Sequence, residues 1–158
     1  MVTAKDVNEL LKKYTKKEFL DLTLAESDLV DYRSKVLISH SWIELLMECI
    51  IIKKFKNHED IIEFDFSRKR KILFGLGIIN EDINHELKIL NQIRVEFAHE
   101  LYPLQGKLPN LIKKFKMYPQ NKTNKEDNLL SDALVFGMIT GILTGYLVEI
   151  LWNIHSKQ

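Results

Sequence analysis

The chain reads as an all-α protein, an up-and-down bundle of about five helices, and three observations carry that expectation. Apolar residues recur at three- and four-residue steps along long stretches, with Ile83, Leu87, Leu90, Ile93 and Phe97 as the model series. The stretch with partial alternation, Ile61 to Phe66, is short and is read as a connector rather than a strand. Cap-forming residues open the periodic stretches and Gly or Pro closes them, with Ser27, Ser67 and Asn80 as starts and Gly77 and Pro103 as stops.

The 158 residues suit a single domain over 1–158, and 46% hydrophobic with 28% charged residues is an ordinary globular composition. A net charge of +1 excludes a strongly basic nucleic-acid coat, so any contact with RNA or DNA must rest on a local patch. The single cysteine, Cys49, excludes an internal disulfide and points to a reducing compartment. The N-terminus Met-Val-Thr-Ala-Lys-Asp has no apolar signal region, so a cytoplasmic location is expected.

Val7 to Tyr14 is a short amphipathic helix, and Thr15 with Glu18 has the form of a capping box for the next turn. From Ser27, as N-cap, to Phe55 runs the longest helical pattern, with an inward stripe of Val36, Leu37, Ile43, Met47, Ile50 and Ile51. Arg33, His40 and Glu44 fall near the same stripe. Either they pair at the edge of the core, or Glu44 or His40 reaches Arg94 and orients it. Ser67 caps a short helix from Arg68 to Leu76, closed by Gly77 in the left-handed conformation. Its first turn is Arg68-Lys69-Arg70-Lys71, cations at the end of a helix that disfavours them. They are either a solvated face or a phosphate-binding patch.

Asn80 starts the next helix, with Glu81 and Asp82 suiting its positive end, and this helix ends near His99 because Pro103 follows. Leu111 to Lys116 is a short basic helix carrying Lys113 and Lys114, and Met117 to Asp127 reads as a loop. Asn121-Lys-Thr matches a glycosylation sequon that an unexported chain leaves idle. The last helix, from Glu126 to Ile154, contains an uncharged run of sixteen residues from Ala133 to Val148, short of the roughly 20 that span a bilayer. No membrane association is expected. Gly137, Gly141 and Gly145 lie on one face of it, where they predict close approach of another helix, either within the chain or across a dimer.

The chemistry concentrates in Asn91-Gln-Ile-Arg-Val-Glu-Phe-Ala-His99. Arg94 and His99 point roughly 140° apart on a straight helix, so one copy cannot aim both at one small group. Two copies crossed about a two-fold axis bring each pair to its mate in one cleft, which predicts a homodimer. Ile-Arg-x-x-Phe-Ala-His, after a Leu-rich helix and Asn91, resembles the Arg-x(4)-His motif of the HEPN superfamily, and most closely its mannitol operon repressor-like (MltR) branch. Arg33 to Leu46 is similar to that family's first long helix, and Phe66 to Ile79 to its basic segment before the motif helix.

The resemblance implies a dimeric helical bundle whose catalytic members cut RNA without metal or cofactor, and it makes a cognate antitoxin or regulatory protein a candidate partner. It implies His99 as the acid–base group and Arg94 as the phosphate clamp; Glu44, His40 and Asn91, placed by the helical pattern, are the candidate supporting neighbours. The residue types suit that chemistry. RNA supplies its own 2′-hydroxyl nucleophile, an imidazole moves the proton, and an always-charged guanidinium fork holds the phosphate oxygens. Arg68, Lys69, Arg70, Lys71, Lys113 and Lys114 are the candidate nucleic-acid contacts. The competing expectation is a regulator or RNA-interacting module without cleavage. It is favoured by the small net charge and by Val95, where catalytic members often have Asn or Asp. No phosphate-loop glycine pattern, His-Glu-x-x-His or cysteine pair is present, and no zinc-finger or basic-zipper element reads DNA.

Overall fold

A computed structural model describes the backbone of residues 3–28, 32–99, 108–117 and 128–157. Among the described residues there are eight helices and no strand: α1 (Ala4–Lys13), α2 (Lys16–Asp28), α3 (Tyr32–Lys54), α4 (Glu59–Ile62), α5 (Phe66–Gly75), α6 (Glu81–His99), α7 (Leu108–Ile112) and α8 (Asn128–His155). The all-helical class is as expected. The number of helices exceeds the expected five, and two of the eight, α4 with 4 residues and α7 with 5, are single turns.

α3 is the axis of the molecule. Its buried residues, among them Val36, Ile43, Leu46, Met47, Ile50 and Ile51, surround the helix rather than line one stripe, as a central helix requires. α8 packs most extensively against it, and α1, α2, α5 and α6 complete the shell. Full burial of one such aliphatic side chain stabilises the fold by about 1.5–3 kcal/mol. Aromatic rings join the layers. Phe19 of α2 meets Trp42 of α3 edge-on at 5.8 Å and Trp152 of α8 at 5.6 Å. Tyr32 at the start of α3 touches Phe97 of α6 and Phe136 of α8 at 5.4 and 5.8 Å. The C-terminal turns of α6, where Arg94 sits, are thereby fixed to the core.

Local capping chemistry explains most boundaries. The Thr15–Glu18 capping box forms, with Thr15 N–H donating to Glu18 at 2.8 Å and Glu18 N–H to Thr15 Oγ1 at 3.3 Å. Asn80 caps α6 by accepting the Ile83 N–H at 2.9 Å. Gly77, at φ 65°, follows α5 in the left-handed region, as its position after the helix predicts.

Several expectations are corrected. Ser27 does not cap the long helix; it lies inside α2, and α3 starts after residue 31. α5 is capped by Asp65, whose Oδ1 accepts the Arg68 N–H at 2.8 Å, because an ionised carboxylate is the stronger acceptor for an exposed first turn. Ser67 falls inside the helix and faces a cleft. The stretch read as a connector begins with the last turn of α4, Ile61 and Ile62. α7 covers Leu108–Ile112, so Lys113 and Lys114 lie in the turn after it.

Two of the three glycines on that face of α8, Gly137 and Gly145, are not closely packed among the described residues. A methyl group at Gly145 would meet nothing within 4 Å, and one at Gly137 would meet only the end of the Lys35 side chain. By length and composition the stretch Asp132–His155, which takes in Asp132 and Glu149 beside the uncharged run, is the helix among the described residues long and apolar enough to cross a membrane; its most apolar 18-residue window has mean hydropathy 1.9 and is half buried in the fold. Pro103 and the Asn121 sequon lie outside the described residues, as do the residues of the expected loop beyond Met117.

Candidate nucleic-acid interface

α3, α5 and α6 converge on a cleft of about 330 Å³ lined by His40, Glu44, Asp65, Phe66, Ser67, Asn91 and Arg94. Helical spacing brings these residues together: His40 and Glu44 stand one turn apart on α3, and Asn91 and Arg94 three residues apart on α6. The N-terminus of α5 closes the third side.

His40 is 6% exposed, and its ring stacks on Phe66 with centroids 4.3 Å apart. Its Nε2–H donates to Asn91 Oδ1 at 3.1 Å, and the Asn91 amide in turn donates to Ser67 Oγ at 3.4 Å. Nδ1 faces Glu44 at 3.9 Å. Burial holds the His40 pKa below its ordinary value; the Asn91 bond and the Glu44 charge oppose this, while the Arg94 and Lys69 charges add to it. The ring is therefore neutral near pH 7, and the three residues form a polar joint between α3, α5 and α6.

Glu44 is engaged elsewhere. Its Oε1 accepts from Lys69 Nζ at 3.0 Å, and the same ammonium bonds the Glu48 carboxylate. Burial acts to lower the Lys69 pKa, but the two carboxylates outweigh it and hold the lysine above its usual value. The expectation that Glu44 or His40 orients Arg94 is accordingly corrected: Lys69 holds the first, and Asn91 with Phe66 holds the second. Arg94 is exposed at the cleft mouth and makes no hydrogen bond or ion pair among the described residues.

The basic turn does not act as one patch. Four consecutive helical residues are spread over about 300° of the helix circumference, so they cannot share a face. Arg68 is exposed, with Asp65 at 3.8 Å and the Phe64 ring at 5.6 Å. Lys69 is buried between two carboxylates and is removed from the set of nucleic-acid contacts, because its charge is spent inside the fold. Arg70 is buried against α6, where its Nη1 bonds Asn84, and Lys71 is exposed. Lys113 and Lys114 are exposed but line neither this cleft nor its neighbour; the Lys114 carbonyl accepts from His85 Nε2 at 3.1 Å. His99 is the last residue of α6, and its side chain lies outside the described residues. Val95 is 39% exposed.

The pairing of Lys69 with Glu44 and Glu48 was open to sequence reasoning only in part. The two acids are one helical turn apart, as a single cation between them requires, but nothing local says which cation arrives. Among the described residues no cluster of His, Cys, Asp and Glu is placed to hold a metal ion. Comparison of the chain with protein-family models, with curated proteins and with solved structures finds no match in any of the three.

Proposed function

We propose that this chain is a HEPN-like, MltR-type helical dimer of the cytoplasm that contacts RNA through Arg94 and acts in regulation. The observation that carries the reading is the state of Arg94. A guanidinium standing at a cleft mouth, with the nearby Glu44 taken by Lys69, keeps its fork of donors available for a phosphate. The polar joint of His40, Asn91 and Ser67 behind it stiffens the wall from which it projects. The cytoplasmic part of the reading rests on Cys49, a buried free thiol.

The dimer is supported by an exposed apolar stripe on α8. Leu134, Met138 and Ile142 are 64%, 65% and 50% exposed and stand four residues apart, a row that a two-fold partner would cover. The unbroken course of α6 through Arg94 to His99 also suits a second reading, a metal-independent endoribonuclease of toxin type with His99 as acid–base group and Arg94 as clamp. An antitoxin or regulatory protein would then be the protein partner.

Incubation of a mixed-sequence single-stranded RNA with the purified chain in EDTA separates the readings. Retention of intact RNA that is weakened by Arg94→Ala supports the regulator. Cleavage that disappears in both Arg94→Ala and His99→Ala variants of unchanged fold supports the nuclease. Neither retention nor cleavage by well-folded protein removes both.

A further inference from the structure

Beside the Arg94 cleft, and separated from it by Ser67 and Asn91, a larger cleft of about 560 Å³ runs between α5 and α6. α5 contributes Ser67, Arg70, Lys71 and Phe74, and α6 contributes Asn84, Lys88, Asn91 and Gln92. Each set follows helical spacing, so two helix faces form the walls. Among the described residues three cations line this cleft and no carboxylate does, in contrast to the Arg94 cleft, where Glu44 and Asp65 are present.

Arg70 is the unusual member. It is 7% exposed, yet no acid pairs with it among the described residues. Its hydrogen bonds go through Nη1 to the side-chain and backbone oxygens of Asn84, both neutral. Among the described residues Nε is buried without a partner and Nη2 has no hydrogen bond. A buried charge is normally paired, because removing it from water without compensation is costly. Lys69, one residue earlier, shows the ordinary solution with its two carboxylates. Arg70 lacks that solution and sits in a cleft wall beside two further cations.

We propose that the α5–α6 cleft binds the phosphate group of a small phosphorylated organic molecule, with Arg70 as the buried anchor and Lys71 and Lys88 closing over the oxyanion. The cleft has the size of a site for an organic ligand rather than a bare ion. Asn84, Gln92 and the 41%-exposed Phe74 offer amides and an apolar surface to the organic part. Arg94 takes no part, so the site stands or falls independently of RNA contact there.

The test is calorimetric titration and thermal unfolding of the full chain with inorganic phosphate, ribose 5-phosphate and ribose, each to about 10 mM. Ribose 5-phosphate is expected to bind and raise the unfolding midpoint by a few degrees, with ribose inert. The Lys71→Ala/Lys88→Ala double variant, altered only at exposed positions, is expected to bind at least about tenfold more weakly. Arg70→Met, which keeps the aliphatic stem, is expected to lose binding. If that variant does not fold, the double variant decides. The proposal is overturned if neither phosphate nor its ester binds the wild-type chain, or if the folded variants bind as wild type does.

Discussion

Lys69 Nζ lies 3.0 Å from Glu44 Oε1, and the lysine side chain is only 4% exposed. This contact, doubled by Glu48, is the electrostatic joint between α3 and α5. Removing the cation leaves two carboxylates facing each other at the rim of the core. Lys69→Ala is expected to destabilise the fold by about 2–3 kcal/mol, below the value for fully buried pairs because both acids keep some contact with water. Lys71→Ala, at an exposed position of the same helix, is expected to stay within about 0.5 kcal/mol. Denaturant unfolding of the two variants checks the contrast.

His40 makes stability depend on pH on the acid side. Its pKa is lowered in the fold by burial, so as pH falls the unfolded chain takes up the proton first. The contribution is fully present above the unfolded value of about 6.5 and is lost progressively as pH falls from there through the folded value. His40→Gln, which keeps a donor for Asn91, is expected to flatten this part of the curve. A wild-type-like fall in the variant over the same range would assign the effect to other groups.

Glu86 has the opposite sign. It is fully buried on α6, accepts the Met117 N–H at 3.3 Å through Oε1, and leaves Oε2 without a partner. Burial raises its pKa, against the smaller pull of the Met117 and Lys116 backbone bonds. The neutral acid is the form that suits the fold, so stability is highest below the unfolded value, about 4.3, and is lost as pH rises through the folded one. Glu86→Gln keeps the Oε1 acceptor and cannot ionise. Relative to wild type it is expected to gain stability between pH 5 and pH 8, as measured by urea midpoints.

Cys49 is inert. It is buried in the middle of α3, and burial pushes its thiol up to about 12, with the Glu48 charge acting in the same direction. Thiol reagents at neutral pH are expected to label it only as fast as the chain opens, and labelling to be complete in denaturant.

Much of the fold was legible in the residues. The three-and-four periodicity of Ile83 to Phe97, the Asn80 cap, the Thr15–Glu18 box and the Gly77 stop are local signals, and each appears where spacing places it. Ser27 failed as a start because the helical pattern around it belongs to α2, and choosing between two adjacent cap-like residues depends on tertiary packing. Asp65 caps α5 in place of Ser67 because its carboxylate, unlike a hydroxyl, also meets the positive end of the helix with a charge.

The site was legible in its members and not in its bonds. His40, Glu44, Asn91 and Arg94 do share one cleft, since helical phase can be read along a chain. Which carboxylate holds which cation is settled between helices far apart in sequence, and Lys69, counted as a surface cation, is the clearest casualty. Asn84, Lys88 and Gln92 stand at four-residue spacing on α6, and the cleft they share with Arg70 exists only once α5 packs against that face.

We propose Arg94 as the residue held open for an RNA phosphate. The most direct test is equilibrium binding of a short single-stranded RNA, followed by fluorescence anisotropy at two salt concentrations, for wild type, Arg94→Ala and Lys113→Ala. Arg94→Ala is expected to weaken binding about tenfold or more, a loss of at least about 1.4 kcal/mol. A shallower salt dependence is expected for that variant, and little change for Lys113→Ala, whose side chain lies away from the cleft. Equal affinity and equal salt slope in wild type and a folded Arg94→Ala variant would contradict it.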